Sequence, residues 1–588
     1  MKQFDIHSKE TQQRVALILL GLCMLVYAMW MSYEVILRYD TFKATAFDLG
    51  NYDQALWNTI HGRLFQFTNQ GVDWYGPPTR LAIHFEPILL PLSLLYLFHA
   101  DPRILLVFQT LALTTGAWPI FALTRKYLPA WPLLAPVMAA AYLCMPALLG
   151  VNLFDFHPVS LATPLLLYAM LALVYRRYTW FLIACVLAAA CKEEIPLSVA
   201  LIGVLVIWKY KLPRLGTVLI IGGILWSTFA FMLISHFYPG AQHSNYWYRY
   251  ESLGSSPGTA LVNILLHPWL LFTTFITLDR FYYLASLLRS TGFLALLAPE
   301  WLLPTLPSLA INLLSINLRC DACSYSGVYH YNAAIIPFVM LAAIHGAQRL
   351  FTLWQVWRGE GMQKTYNDEL VVDMAVPHRL NRLARWLTQP APLHIPFLAQ
   401  SRKASIAFAS PVMSPIAVAL SPRLSIARQV YDTQQQVLTE HMVPLARNTS
   451  LSRLQWFACV WIIAMFVLNC LIMIPEINIF MPDHVPGSRE QHIQQLLAMI
   501  PPNASVSASE SLNPHLSDRL YVTVFPEITF STSKNINNTV QYVIVDVQSI
   551  FPEDQGPVTD ALNQLRKSQF RTLRQAEGVI LLVRIDTT

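Results

Sequence analysis

The chain has 588 residues, of which 55% are hydrophobic and only 13% are charged, and its mean hydropathy is +0.43. One soluble core does not bury this much apolar surface, so lipid must solvate most of the chain. The net charge of +6 does not indicate a nucleic-acid partner, because lysine and arginine lie mainly between apolar runs and in one polar block. We therefore predict an α-helical polytopic membrane protein.

The first apolar run, about 15–33, follows a polar leader that has no small-residue cleavage site, which predicts a retained first span and a cytoplasmic N-terminus. A long polar stretch, 34–80, then forms the first outer loop. The next apolar segment, 83–98, is interrupted by two prolines and two ionisable residues. We interpret it as an interfacial helix, because a span here would place the basic pair Arg125-Lys126 outside.

If the remaining apolar runs cross the bilayer in alternating directions, the basic clusters all lie on the cytoplasmic side. The predicted spans lie near 104–123, 132–150, 159–175, 180–191, 195–208, 215–236, 281–298, 300–316, 331–348 and 455–474. About eleven spans result, each of roughly the length that a bilayer requires or slightly shorter. Residues 1–350 are thus the transmembrane core of a multi-pass protein, which we assign to the cell (plasma) membrane.

The rest of the chain divides into three predicted parts. Segment 351–453 is polar, basic and proline-studded, which indicates a partly disordered cytoplasmic insertion. A last span, 454–476, returns the chain to the outside. Residues 477–588 contain the β-branched runs LYVTVFP, VQYVIVDV and VILLVRI around the helical DALNQLRKS. This alternation predicts a small extracytoplasmic α/β domain.

Ionisable residues are costly in lipid and tend to mark function, so the side on which they collect is informative. Motifs from five loops fall together on the predicted outer face. The candidate site residues are Asp48, Asp53, His84, Glu86, Asp155, His157, Lys192, Glu193, Glu194, Tyr329, His330 and Tyr331. In one outer cavity, carboxylates would act as a general base or bind a divalent metal such as Mg or Mn, histidines would ligate or shuttle protons, and Lys192 or His330 would neutralise phosphate.

Each motif also has a purely structural interpretation. Asp48 alone would serve as the cap of a helix from Leu49 to Ile60, and Asp53 as a solvated residue on that helix. The histidine–carboxylate pairs would serve as surface or loop ion pairs, and Lys192 as the partner of a neighbouring glutamate. The convergence of five loops on one face favours a shared cavity over five independent coincidences.

Five ordered motifs also carry a family resemblance. They are FDLGNYDQALWNTIHG, HFEPILLPLSLLY, FDFHP, a KEE at the end of an apolar helix, and YHYNAAIIPF. Together they resemble the family known as domain of unknown function 2079, over about Phe47 to Gly346. The segment that begins PPNASVSASESLNPHLSDR is similar to the tail of many members, whereas the polar insertion is covered by no resemblance.

That family looks like a branch of the GT-C glycosyltransferase superfamily, whose polytopic members use polyprenyl-phosphate sugars on the outer face. The resemblance implies that an acid of the first outer loop is catalytic, with Asp48 the matching position and Asp53 a second candidate. It also implies a polyprenyl-phosphate sugar donor, whose phosphate Lys192, His157 and His330 would neutralise. The loop lacks an acidic-x-acidic pair and the tail lacks a WWD-type tripeptide, so metal dependence and the acceptor stay open.

Two other classes of function remain as alternatives. A transporter or channel for a small solute or ion would also carry acids and histidines within its spans. The predicted charges, however, lie at one face rather than near the bilayer midplane. A membrane-anchored sensor or scaffold would need far fewer spans than the sequence predicts.

Overall fold

The structure of the chain is a computed structural model. It describes residues 9–69, 79–237, 247–316, 323–357, 449–478, 480–533, 536–550 and 555–587. One compact unit comprises 1–389 together with 460–588, and a second comprises 390–459, of which the structure describes only the helical residues from 449 onward. Most of the predicted insertion 351–453, namely 358–448, therefore lies outside the described residues.

Helices account for most of the described chain. They are α1 (Lys9–Asp40), α2 (Asn51–Ile60), α3 (Leu89–Ser93), α4 (Arg103–Thr115), α5 (Ala117–Tyr127), α6 (Leu134–Leu143), α7 (Pro146–Leu153), α8 (Ala162–Val174), α9 (Tyr178–Ala189), α10 (Ile195–Tyr210), α11 (Pro213–Phe237), α12 (Pro257–Leu266), α13 (Trp269–Phe275), α14 (Leu278–Arg289), α15 (Leu306–Leu314), α16 (Ile336–Trp357), α17 (Thr449–Ile477), α18 (Ser488–Ala498) and α19 (Gln555–Ser568). Between α1 and α2 lies a π-helical turn, Ala46–Gly50.

Several helices have the length and composition of membrane spans. Five of the described helical stretches pass that test: Glu10–Asp40, Arg103–Tyr127, Pro213–Phe237, Ile336–Trp354 and Trp456–Met473. The pair α6–α7, bent by 42°, makes a sixth if it is counted as one span, and α8, α9 and α10 are shorter apolar helices. The structure thus confirms several apolar helices, but it does not confirm the predicted count of about eleven spans.

The predicted spans 281–298 and 300–316 are not continuous α-helices. Helix α14 ends at Arg289, and 3-10 turns at Leu294–Leu297 and Pro299–Thr305 precede α15. Proline removes a backbone donor and clashes with the preceding turn, which explains why regular helix is interrupted around Pro299 and Pro304. Hydropathy alone does not register this interruption.

The segment predicted as an interfacial helix, 83–98, is a short helix rather than a span. It contains α3 and a 3-10 turn at Leu94–Leu97. Leu97 and Phe98 are 65% and 86% exposed, so the segment presents apolar side chains outward. Such a face is typical of a helix that lies at a membrane surface.

Close backbone approaches hold the helices of the core together. A Cβ on Gly203 of α10 would lie 2.6 Å from the carbonyl oxygen of Gly216 on α11, and one on Gly150 of α7 would lie 1.9 Å from that of Val328. Small residues at such contacts are the usual way in which helices pack in lipid. Polar contacts add to them: Arg289 of α14 donates to Asn469 of α17 at 2.6 Å.

The C-terminal segment is a small α/β domain, as the sequence predicts. Its five-stranded sheet has the order β2-β1-β5-β7-β6. The strands are β1 (Val506–Ala508), β2 (Val522–Val524), β5 (Tyr542–Asp546), β6 (Phe570–Ala576) and β7 (Val579–Arg584), and a separate hairpin comprises β3 (Thr529–Ser533) and β4 (Ile536–Thr539). Strand β1 runs parallel to β2 and β5, whereas β7 is antiparallel to β5 and β6.

Two apolar clusters make up the domain core. One contains Ile493 and Leu496 of α18, and the other contains Leu562 and Leu565 of α19, each with residues of the sheet. The first cluster also contains Phe42, which follows α1 in the chain and is only 5% exposed. The domain core is therefore completed by a residue from the N-terminal part of the chain.

Gly150→Ala is expected to destabilise the protein by about 1–3 kcal/mol, because the added methyl group meets the Val328 backbone. The matched control is Gly222→Ala in α11, where a Cβ has no atom within 4 Å. Thermal unfolding in detergent should show a lower Tm for the first variant only. Equal melting temperatures for the two variants would contradict the packing described here.

Candidate functional site

Asp48 lies on the π-helical turn and keeps a side chain that is 27% exposed. The turn closes when the amide of Gly50 donates to the carbonyl of Thr45, at 3.1 Å. The Asp48 carboxylate does not cap α2, whose cap position is Gly50. Instead its Oδ2 accepts from the Thr45 hydroxyl at 3.0 Å, and its Oδ1 lies 3.1 Å from Nε2 of His157. Asp48 is thus a held but accessible carboxylate.

His157 is fixed by oxygen atoms at both ring nitrogens. Its Nδ1 lies 3.1 Å from the Phe154 carbonyl, while its Nε2 faces Asp48. A carbonyl and a carboxylate both accept, so both nitrogens must donate if both hydrogen bonds are to form. With both contacts made, the ring bridges the Phe154 carbonyl and the Asp48 carboxylate. Burial raises the pKa of Asp48, but His157 and Thr45 outweigh this and hold that pKa below its usual value.

Asp155 joins the FDFHP loop to the turn that carries Asp48. Its Oδ2 accepts from both the amide and the hydroxyl of Thr45, at 2.9 and 2.8 Å, and its Oδ1 lies 3.4 Å from Nε of Arg38. Burial raises the pKa of Asp155, an effect that Arg38 partly offsets. Asp155 also has a φ of +49°, in the left-handed region that aspartate tolerates better than most residues. Its contacts make it a positioning residue for Thr45.

His330 stacks on His157 with ring centroids 3.8 Å apart and planes 13° apart. Burial, together with the positive charges of His157 and Lys192, lowers the pKa of His330 well below its usual value, so this ring is neutral. Its buried Nδ1 has no hydrogen-bond partner among the described residues. Tyr329 packs edge-on against Phe154 beside the stack. The YHY motif and the FDFHP motif therefore meet, as the sequence predicts for a shared site.

The KEE motif contributes a second charged group. Lys192 Nζ lies 3.3 Å from Glu194 and 6.0 Å from the centre of the Tyr331 ring. Glu193 binds Nδ1 of His84 at 2.8 Å. Burial raises the pKa of Glu193, but His84 and Lys192 outweigh it, so the glutamate is ionised. The His84 and Lys192 motifs are thereby joined through the loop that precedes α10.

Glu86 forms a buried ion pair that the sequence did not predict. Its Oε2 accepts from Arg80 at 2.9 Å and its Oε1 from the Tyr52 hydroxyl at 2.7 Å, and Glu86 is only 2% exposed. The Arg80 guanidinium also lies over the Tyr52 ring, 3.9 Å from its centre. The interpretation of Glu86 as a surface group is therefore wrong, and Glu86 serves to hold Arg80 beside α2.

Sequence reasoning missed four residues at the site. Arg38 contacts Asp155, and Thr45 donates to Asp48. Arg80 acts electrostatically on Asp48. Arg249 Nη1 lies 3.4 Å from the Tyr331 hydroxyl. Arg249 and Lys192 both act on His330 electrostatically. The available signal was an isolated arginine in a loop predicted to lie outside, because lysine and arginine are usually enriched in cytoplasmic loops.

Asp53, the second catalytic candidate, has different partners. It is fully buried, accepts from the Tyr96 hydroxyl at 2.5 Å and shares a hydrogen bond with Asp518 of the C-terminal domain. The interpretation of Asp53 as a solvated residue is wrong. These contacts join Asp53 to the domain rather than to His157.

Metal binding at this site stays a prediction. Within the described ranges, no group of three or more His, Cys, Asp or Glu side chains is placed to hold a metal ion. At this site Asp48 contacts His157, and Asp155 is turned toward Arg38 and Thr45.

The fold defines a polytopic helical membrane protein with a C-terminal α/β domain. The polar motifs of the protein converge on one site. The chain belongs to the family described as predicted membrane protein (DUF2079), whose model matches residues 38–381 and 437–581. This confirms the family that the five motifs predict, and the internal segment between the two matched ranges, 382–436, lies within the polar insertion. No curated protein and no solved structure matches the chain.

Glu86→Gln is expected to destabilise the protein by about 3–5 kcal/mol, because it removes the buried negative partner of Arg80. Glu10→Gln is the matched control, since Glu10 forms an exposed pair with Arg14 and should change stability by less than about 0.5 kcal/mol. Thermal unfolding in detergent measures both. If the two variants lose the same stability, the Arg80–Glu86 pair does not support the loop.

Proposed function

We propose that this protein is a membrane glycosyltransferase of the GT-C type, which transfers a sugar from a polyprenyl-phosphate donor to an acceptor. The supporting observation is the setting of Asp48: an ionised, 27% exposed carboxylate held by Thr45 and His157, beside a neutral His330. Family membership supplies only the description of a membrane protein. The proposed chemistry therefore rests on this carboxylate and the cations near it.

Asp48 is the proposed general base. A carboxylate has about four lone-pair positions, so the contacts with Thr45 and His157 leave room for an acceptor hydroxyl. The hydroxyl oxygen forms a bond to the anomeric carbon of the sugar while the bond from that carbon to the phosphate oxygen breaks. The hydroxyl proton passes to Asp48, and the bonding electrons leave with the polyprenyl phosphate. The lowered pKa keeps Asp48 ionised at neutral pH and ready to accept a proton.

The leaving phosphate requires positive charge at the other side of the site. Lys192 and Arg249 both flank Tyr331. The Lys192 ammonium lies over the Tyr331 ring, and Arg249 Nη1 lies 3.4 Å from the Tyr331 hydroxyl. The neutral His330 offers an unpartnered ring nitrogen, which suits a hydrogen bond to a phosphate oxygen. We assign donor binding to these three residues, with His157 as the positioning residue for Asp48.

The proposal also sets an orientation. The N-terminus is cytoplasmic, the C-terminal domain is extracytoplasmic, and about eleven segments cross the plasma membrane once the short and broken helices are counted. Asp48 then faces outward, on the side where lipid-linked sugars are used by the superfamily that the motifs resemble.

Asp48→Asn is expected to lower donor-dependent release of polyprenyl phosphate by a factor of about 10²–10⁴, the usual contribution of a general base. The measurement uses the protein purified in detergent with a panel of polyprenyl-phosphate sugars, and donor binding is measured in parallel. Asp560→Asn, a change of an exposed aspartate on α19, is the matched control and should keep full activity.

Two results would contradict the proposal. Full release by the Asp48→Asn variant would remove Asp48 as the base. Failure of the wild-type protein to bind any donor of a broad panel, with its thermal stability intact, would instead favour transport of a small solute or ion.

Asp560→Cys and Lys126→Cys test the orientation, because both native side chains are exposed and the proposal places them on opposite sides. A membrane-impermeant maleimide added to intact cells should label the first variant above the wild-type background. It should label the second only after the cells are permeabilised. The reverse pattern would invert the proposed topology.

A further inference from the structure

Two aspartates from distant parts of the chain meet where α2 packs on the C-terminal domain. Asp53 is fully buried, and its carboxyl group shares a hydrogen bond with that of Asp518, which is partly exposed. Oxygen Oδ2 of Asp53 and oxygen Oδ1 of Asp518 are buried, and no donor group among the described residues reaches either of them. Two ionised carboxylates cannot donate to each other, so a shared proton is needed for this contact.

The groups around the pair favour retention of that proton. Tyr96 donates to Asp53, and the Tyr39 hydroxyl of α1 is also close enough to interact. Asp101 adds negative charge, and Arg519 is the cation that faces Asp518. Arg519, however, also donates to the carbonyls of Leu516 and Ala504.

Burial is the main cause of the raised pKa of both aspartates, and it is followed by repulsion from neighbouring carboxylates. The pKa of Asp53 lies well above its usual value, and that of Asp518 is raised to about 7. Asp101 raises the pKa of both aspartates. Tyr96 lowers the pKa of Asp53, and Arg519 lowers that of Asp518. One proton is therefore held by the pair when the domain is docked.

The same interface touches the turn that carries Asp48. A Cβ on Gly50 would lie 2.7 Å from Oδ1 of Asn513, so the domain approaches this turn as closely as a glycine allows. Asn513 and Asn69 exchange two amide hydrogen bonds of 2.8 Å each. Thr68 donates to the Val522 carbonyl at 2.6 Å and accepts from the Val522 amide at 2.9 Å. The position of the Asp48 turn thus depends on the docked domain.

We propose that Asp53 and Asp518 form a proton-dependent clasp that holds the C-terminal domain against the Asp48 turn, and that loss of the shared proton weakens this docking. The clasp denotes these two carboxyl groups only. Its consequence for turnover rests on the function proposed above, whereas the docking equilibrium is independent of that function.

The sign of the pH dependence follows from proton binding. An undocked aspartate has an ordinary pKa near 3.8, so above about pH 4 the undocked state holds no proton on either group. The docked pair keeps one proton up to about pH 7. Docking is therefore strongest at acidic pH and weakens by about tenfold per pH unit for each proton lost as the pH rises toward 7.

Hydrogen exchange of the full-length protein in detergent measures docking without any donor. The reporters are peptides that contain Thr68 and Val522, whose contacts exist only in the docked state. After correction for intrinsic exchange, protection in the wild type should fall about tenfold per pH unit between pH 5 and pH 7. Peptides within α10 and α11 should not change, which separates undocking from global unfolding.

Asp518→Asn supplies an amide that donates to Asp53 without a titrating proton, so this variant should stay docked and lose the pH dependence. Asp53→Asn is the reciprocal variant, and Asp560→Asn on α19 is the matched control that should keep the wild-type slope. A flat wild-type profile, or the same slope in Asp518→Asn and the wild type, would overturn the clasp. A protein that shows the slope but releases no polyprenyl phosphate would leave the clasp intact and refute the enzymatic proposal alone.

Discussion

A carboxylate withdrawn from water must be matched by a cation or by hydrogen-bond donors, and Arg38 together with Thr45 meets this requirement for Asp155. Arg38 ends α1 and reaches two other parts of the chain, because it also donates to the carbonyl of Phe480 at 3.2 Å. Asp155 then has its second oxygen free to hold Thr45, which in turn holds Asp48. The first loop, the FDFHP motif and the entrance to the C-terminal domain are thus fixed by one buried ion pair.

Around that pair, neighbouring groups of the same type carry different charges. Both ring nitrogens of His157 face oxygen atoms, whereas His330, stacked on it, is kept neutral by burial and by the positive charges around it. Asp48 is ionised beside His157, whereas Asp53, five positions later, is held in a protonated pair. The site therefore brings together an acceptor of protons, a neutral hydrogen-bonding ring and fixed cations.

The sequence predicted the meeting of the motifs and the class of the C-terminal domain, since both leave local patterns: ionisable residues at span ends and alternating β-branched runs. It did not predict the role of Asp53, because the partner Asp518 is 465 positions away and no local pattern connects them. Arg38 and Arg80 were missed for a related reason, as arginines near span ends are interpreted as topology signals first. The number of spans was uncertain because hydropathy reports apolar content, while prolines decide where helix is continuous.

Phe42 bears on the order of events during biosynthesis. Its ring belongs to the core of a domain whose remaining residues lie more than 400 positions later, so ribosomes finish that domain last. Until the final strands emerge, the Phe42 ring has no domain core to join, and Gly50 of the Asp48 turn lacks its contact with Asn513. A chain cut short before the domain would therefore bring Asp48, His157 and His330 together without the surface that packs against the Asp48 turn.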